Sequence, residues 1–201
     1  MAPNEFIPVA ERYGLLAKID CWLIETFFSN YHKLSGKQFI SKGLYTLKIS
    51  GDSIGNNGFM RFLMGQFYRS QISPPTICFV ITETAALANF DRARYFMSEL
   101  KKIGCRFALD DFGSGLSSFA YLINLPVDYL KIDGTFVKNI SQNLISQAIV
   151  EGFNGIAHAM NLKTIAEFVE DETILEKLRE MGVDYAQGYG LADPVPINFN
   201  R

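Results

Sequence analysis

The chemistry-bearing residues crowd one stretch, RFALDDFGSGLSSFAYLINLPVDYLKIDGTF at 106–136. Adjacent carboxylates, Asp110 and Asp111, end an apolar run. Lys131 and Asp133 lie in and after the next one. Other apolar runs end the same way: Glu83 follows ICFVIT, Glu167 follows KTIA and Gln187 follows YA. Carboxylates gathered at strand ends offer hard oxygen ligands of the kind Mg²⁺ and Mn²⁺ take. A lysine among them can stabilise a phosphate or orient a water nucleophile. Together they have the makings of a metal-assisted phosphodiester hydrolase.

A lone Asp-Asp pair says little, because acidic residues also cap helices and start turns. Successive strand ends that each carry a polar residue favour the site reading. Gly113 and Gly115 fit either a tight turn with positive φ or a mobile loop over a site. Phe119 and Tyr121 read as packing residues. His32 and His158 fall inside helical patterns, away from strand ends, and are poor metal candidates.

These residues need elements to hold them. Short apolar runs rich in β-branched and aromatic residues predict strands over 44–49, 77–81, 106–110, 129–132, 163–166 and 185–188. Between them, apolar residues at helical spacing predict helices over 15–34, from Asp52 or Ser53 to about 68, from Asn89 or Asp91 to 104, and over 141–160 and 171–181. Strand–helix alternation implies a parallel sheet covered by helices. If all strands are parallel, their polar ends meet on one rim, as at the C-terminal face of a (β/α)₈ barrel. Six strands leave either an incomplete barrel or a smaller open sheet.

Composition removes several classes. The 201 residues are 48% hydrophobic and carry a formal net charge of -2, so no basic field exists for nucleic acid polymers or an anionic membrane. Cys21, Cys78 and Cys105 are odd in number and lack CxxC spacing, which suits reduced, buried thiols. No apolar run approaches the ~20 residues of a membrane span, and MAPNEFIPVAERYG is no signal peptide. The expectation is a cytoplasmic protein with no membrane role.

In order along the chain, EFIPVAERYGL at 5–15, ITETA at 81–85, DDFGSGLSS at 110–118, LKID at 130–133, IAEFVE at 165–170 and AQGY at 186–189 resemble the EAL family of cyclic-di-GMP phosphodiesterase domains. The resemblance runs from about residue 5 to 196. It implies an α/β fold, a TIM-type (β/α) barrel of EAL type, incomplete here with about six strands present and the first two missing. The whole chain, 1–201, is then a single EAL-like domain, N-terminally truncated relative to the family. The family linearises cyclic-di-GMP to pGpG with two divalent cations, usually Mg²⁺ or Mn²⁺. The resemblance assigns Asp110, Asp111 and Glu167 as metal ligands and Lys131, Glu167 and Gln187 to catalysis. It gives Phe112 and Gln187 as cyclic-di-GMP contacts. Glu83 becomes the anchor of the loop 112–118, which links metal binding to dimerisation in the family.

The departures matter as much. The Glu-Ala-Leu segment and the arginine after it should lie upstream of Glu5 and are absent. Lys48 stands where the family has a metal-binding asparagine, and Val80 where it has a metal-binding glutamate. Asp193 falls in a segment that usually carries a basic residue. Val80 has no lone pair, and Lys48 brings a positive charge that would repel a cation and attract Asp110 or Asp111. Mg²⁺ or Mn²⁺ binding is therefore expected to be weak or absent, with the Lys48 ammonium partly substituting for metal. The expected function is a degenerate signalling domain without catalysis, acting as a cyclic-di-GMP receptor or as a protein-interaction module. The alternative is an active phosphodiesterase or a fragment of one. Unpaired sheet edges in a truncated barrel would favour a protein partner or a homodimer.

Overall fold

The computed structural model describes residues 3–34, 43–114 and 119–195. Helices α1 (Pro3–Arg12) and α2 (Leu16–Leu34) precede β1 (Tyr45–Lys48), α3 (Gly51–Gly55), α4 (Asn57–Ser70) and β2 (Ile77–Thr82). Then follow α5 (Glu83–Ala88), α6 (Phe90–Lys102), β3 (Arg106–Phe112), α7 (Phe119–Leu122), β4 (Tyr129–Ile132) and α8 (Gly134–Val137). The last elements are α9 (Leu144–Ala159), β5 (Lys163–Ala166), α10 (Glu172–Glu180) and β6 (Tyr185–Ala186). Packing groups the chain into two compact units, one made chiefly of residues up to 81 with 85–106, the other of 82–84 with 107–197. Among the described residues no helix is long and apolar enough to cross a membrane.

In the first unit β1 and β2 pair in parallel, with Tyr45 opposite Ile77 and Lys48 opposite Val80. Strand β2 buries five of its six residues, as its unbroken apolar run predicts. Phe28, Phe67 and Phe79 pack edge to face over this sheet, and Phe59 stacks on Phe96. The end of β1 is fixed by a buried carboxylate. One oxygen of Asp20 accepts from the Ser50 N–H (2.8 Å), the Ser50 hydroxyl (2.6 Å) and the Ser53 hydroxyl (2.6 Å). Ser50 in turn caps α3.

In the second unit β3, β4 and β5 pair in parallel in chain order, and β6 pairs in parallel with β5. The core between β4, β5, α9 and α10 gathers Ile132, Val150, Ala166, Val169, Ile174 and Leu178. In the first unit, burial pushes the Cys105 thiol up to about 12, so it behaves as a core residue rather than a nucleophile.

Element boundaries differ from the sequence expectation where side chains compete with the backbone. The single helix expected from Asp52 or Ser53 to about 68 is two, α3 and α4. It breaks at Asn56, whose backbone is extended and whose side chain accepts from the Gly58 N–H. Asn143 caps α9 with bonds from Ile145 and Ser146, so that helix starts later than 141. Strand β3 continues through both aspartates to Phe112, and β6 is only two residues long.

That short strand is held by Asp184 just before it. Its carboxylate accepts from Lys163 Nζ (2.6 Å) and the Thr164 N–H (2.9 Å), and His158 Nε2 lies 2.7 Å away. Burial works against ionisation, but the bonds from Lys163, Thr164 and His158 win and hold Asp184 well below the usual carboxylate range. A depressed folded-state value stabilises above the unfolded value of roughly 3.9, and that contribution disappears as pH falls through the folded value. Asp184→Asn is expected to cost about 1–3 kcal/mol in urea melts at pH 7. Measured from pH 7 down to pH 3, its stability should fall less steeply than that of the parent protein.

Candidate functional site

The two aspartates pose a geometric problem. Successive residues of a regular strand point to opposite faces, so Asp110 and Asp111 should diverge. They do not, because β3 bulges there. The register steps from Leu109 opposite Leu130 to Phe112 opposite Ile132, three residues against two. Bulges are rare between parallel strands and re-aim side chains. Asp111 takes the extra position with φ +56, a left-handed conformation that aspartate tolerates better than most residues. As a result Asp110, Asp111 and Glu167 each bring a carboxylate oxygen within 4.8 Å of the others.

Lys131 sits among them. It lies in β4, directly between β3 and β5 and in register with Ile165. Its ammonium donates to Asp110 (2.6 Å) and Glu167 (2.5 Å), and all three side chains are largely buried. Burial alone would lower the lysine's value, but Asp110 and Glu167 outweigh it and hold Lys131 above the ordinary range. Burial raises Glu167. Lys131 opposes that shift, while Asp110 and Asp111 add to it, and the net direction is upward. Lys131 rises because two carboxylates bond it, and Glu167 rises because burial and its like-charged neighbours outweigh that one lysine. At an effective dielectric of 20, two like charges no more than 4.8 Å apart repel by roughly 3 kcal/mol or more. A cation is the simplest remedy, and Lys131 supplies it.

The donor set suits a hard divalent ion, three carboxylate oxygens being close enough to share one. Such an ion would compete with Lys131 for Asp110 and Glu167. The described geometry thus fits part of a Mg²⁺ or Mn²⁺ site.

Glu83 is buried at the start of α5. One of its oxygens accepts from the Gly113 N–H (3.2 Å), the other from the Tyr121 hydroxyl. The carboxylate therefore ties two points of chain on either side of residues 115–118, which lie outside the described residues, as does that part of the expected loop 112–118. Gln187 brackets Glu167 through its backbone. Its N–H donates to Ala166 (2.8 Å), its carbonyl accepts from Val169 (3.1 Å), and its side chain is exposed.

Phe112, expected as a nucleotide contact, is a core residue instead. It is fully buried, with its ring 5.2 Å from Phe153 and 5.4 Å from Phe119. The bulge explains this: the extra residue at Asp110–Asp111 turns Phe112 inward. Asp133 caps α8 through the Thr135 N–H (2.7 Å), a structural duty. Two residues escaped the sequence reading. Tyr121, taken as packing, bonds Glu83. Phe168 follows Glu167 with φ +55 and is left half-exposed. No spacing signal marks either one.

Lys48 and Val80 belong to the first unit, where they are register partners on neighbouring strands. Val80 is buried and Lys48 exposed. The two departures from the family's ligand pattern are therefore adjacent. The resemblance expects an oxygen ligand at each of these adjacent positions, which carry an isopropyl group and an ammonium.

The EAL domain family model matches residues 1–194. Cyclic di-GMP phosphodiesterase PdeB of Shewanella oneidensis is 40% identical over 98% of this chain, which covers 23% of that protein. Cyclic di-GMP phosphodiesterase PdeA of Borreliella burgdorferi is 38% identical over 96% of this chain and 29% of its own length. The chain thus spans about a quarter of the length of these curated relatives. Among solved structures, the PaMucR phosphodiesterase in complex with c-di-GMP superposes with a TM-score of 0.90 at 28% identity, covering 98% of this chain and 79% of that one. The FimX EAL domain from Pseudomonas aeruginosa bound to c-di-GMP gives 0.87 at 28% identity, covering 100% and 81%. These likenesses extend over both units and show a partial (β/α) barrel of EAL type.

Lys131→Met leaves the buried carboxylates without their cation. It is expected to lower stability by about 3–5 kcal/mol in chemical denaturation. Mn²⁺ should raise the melting temperature of this variant more than that of the parent, because Asp110 and Glu167 are then open to a metal.

Proposed function

The chain belongs to the EAL domain family, and on that premise we propose that it is a cyclic-di-GMP receptor domain that binds the dinucleotide without hydrolysing it efficiently. The observation that carries this reading is the Asp110–Lys131–Glu167 triad, taken with the two family ligand positions that carry Lys48 and Val80. The residues suited to hold a phosphodiester-cleaving metal centre are only partly present, and two of the three carboxylates already bond an internal cation.

The family chemistry needs divalent cations to activate water and to stabilise charge developing on the phosphate. In this chain Asp110, Asp111 and Glu167 would hold such an ion, and Lys131 would orient a water beside it. The positions of Lys48 and Val80 no longer assist. Loss of a partner that merely orients a ligand typically costs 10–100-fold in metal affinity or activity, and loss of direct ligands costs more. Ligand binding is less affected, because it needs contacts to bases and phosphates rather than a complete metal shell. The c-di-GMP complexes among the similar structures support this ligand. The phosphodiesterase names of the relatives favour the competing reading, an active enzyme.

Calorimetry with cyclic-di-GMP, with and without Mg²⁺ or Mn²⁺, separates the readings. Binding that needs no metal, with no pGpG released on incubation, is the expected result. Metal-dependent release of pGpG over many turnovers would instead establish an enzyme. The double variant Lys48→Asn/Val80→Glu should raise Mn²⁺ affinity by at least about tenfold, since it returns two oxygen ligands.

A further inference from the structure

The net charge of -2 conceals two halves of opposite sign. Residues 1–81, 85–106 and 198–201 hold 14 lysines and arginines against 7 aspartates and glutamates, a net +7. Residues 82–84 and 107–197 hold 5 against 14, a net -9.

In the first unit the positive charge collects on α4 and α6. These helices are neighbours: Phe59 stacks on Phe96, and Arg92 donates to the Gly55 carbonyl (2.6 Å) just before α4. No acidic residue occurs between Asp52 and Glu83, so nothing within α4 offsets Arg61 and Arg69. Arg61, Met64 and Tyr68 follow at i, i+3 and i+7 and share an exposed face of that helix. On α6, Arg92, Tyr95 and Lys102 are exposed as well. Lys102 bonds Glu99 of its own helix, an exposed pair that contributes little and exchanges readily. Tyr68 is 88% exposed and Tyr95 64%. Bare tyrosines among arginines and a methionine are the composition that protein interfaces favour over ordinary surface.

The second unit carries the complement. Glu172, Glu176 and Glu180 follow at i, i+4 and i+8 along α10, all exposed, with Glu170 and Asp171 just ahead of them. Ile174, Leu175 and Leu178 bury the other side of the helix and so hold this stripe outward. The cations of α10, Lys177 and Arg179, pair with Glu180 and Glu172.

We propose that the α4–α6 face of one copy docks on the α10 stripe of a second copy. Charge selects the partner, because the acidic surface that fits the face is present on the chain itself. The carboxylates of the stripe meet Arg61, Arg69 and Arg92, while Tyr68 and Tyr95 supply the apolar area that anchors the contact. The two surfaces differ, so addition need not stop at two copies. The contact is independent of any nucleotide.

Sedimentation of the full chain over a concentration series tests this. The mean mass should rise above that of a single chain at about 10 mM salt, where the screening length is about 30 Å, and fall back at about 1 M, where it is about 3 Å. Tyr68→Ala and Arg61→Ala/Arg69→Ala should each weaken association about tenfold or more with the melting temperature unchanged, since these side chains are exposed. Glu176→Gln/Glu180→Gln should do the same from the other surface. Mixed one to one, the arginine and glutamate variants should recover a complex, because each supplies the surface that the other lacks. A parent protein that keeps the mass of a single chain at low salt overturns the proposal. So does association that persists in about 1 M salt, that the arginine variant retains within twofold, or that the mixed variants fail to recover.

Discussion

The ion triad of Asp110, Lys131 and Glu167 constrains everything around it. Three carboxylates gathered within 4.8 Å need a positive charge, and the chain provides one from its own strand. That requirement dictates local structure. Lys131 must lie on a strand between those carrying the carboxylates, which the order β3, β4, β5 achieves. Asp111 must share a face with Asp110, which the bulge and the left-handed backbone achieve. Phe112 must then turn into the core, where Phe119 and Phe153 receive it.

The same triad joins fold to function. An ammonium hydrogen-bonded to two carboxylates is a stable resting arrangement, and it competes with any metal for those oxygens. A site with a full set of ligands could still win that competition through additional carboxylates. Val80 and Lys48, register partners on β1 and β2, are positions where the resemblance expects oxygen ligands and the chain has none.

Much of this was legible in the sequence because it depends on residue type. The apolar runs located every strand among the described residues, and 129–132 and 163–166 were located to the residue, since such short apolar segments between polar turns leave few alternatives. Asp110, Asp111, Lys131 and Glu167 stood out by their places at strand ends. Hidden were the features that depend on backbone conformation. Nothing in the letters DDF announces a bulge, and the resemblance that gives Phe112 as a ligand contact carries no sign that its ring is buried. The break at Asn56 came from a side chain bonding its own backbone, which helical periodicity does not register. Tyr121 read as an apolar ring because its partner, Glu83, is 38 residues away. Phe168 had no distinguishing mark until its φ and its exposure were known together.

The central claim is that Lys131, rather than a metal, balances the carboxylates. Calorimetric titration of the unmodified protein with Mg²⁺ tests it directly. No binding at micromolar concentrations is the predicted result. Saturable binding with micromolar affinity would contradict it, because an ion held that tightly would have to displace the lysine from Asp110 and Glu167.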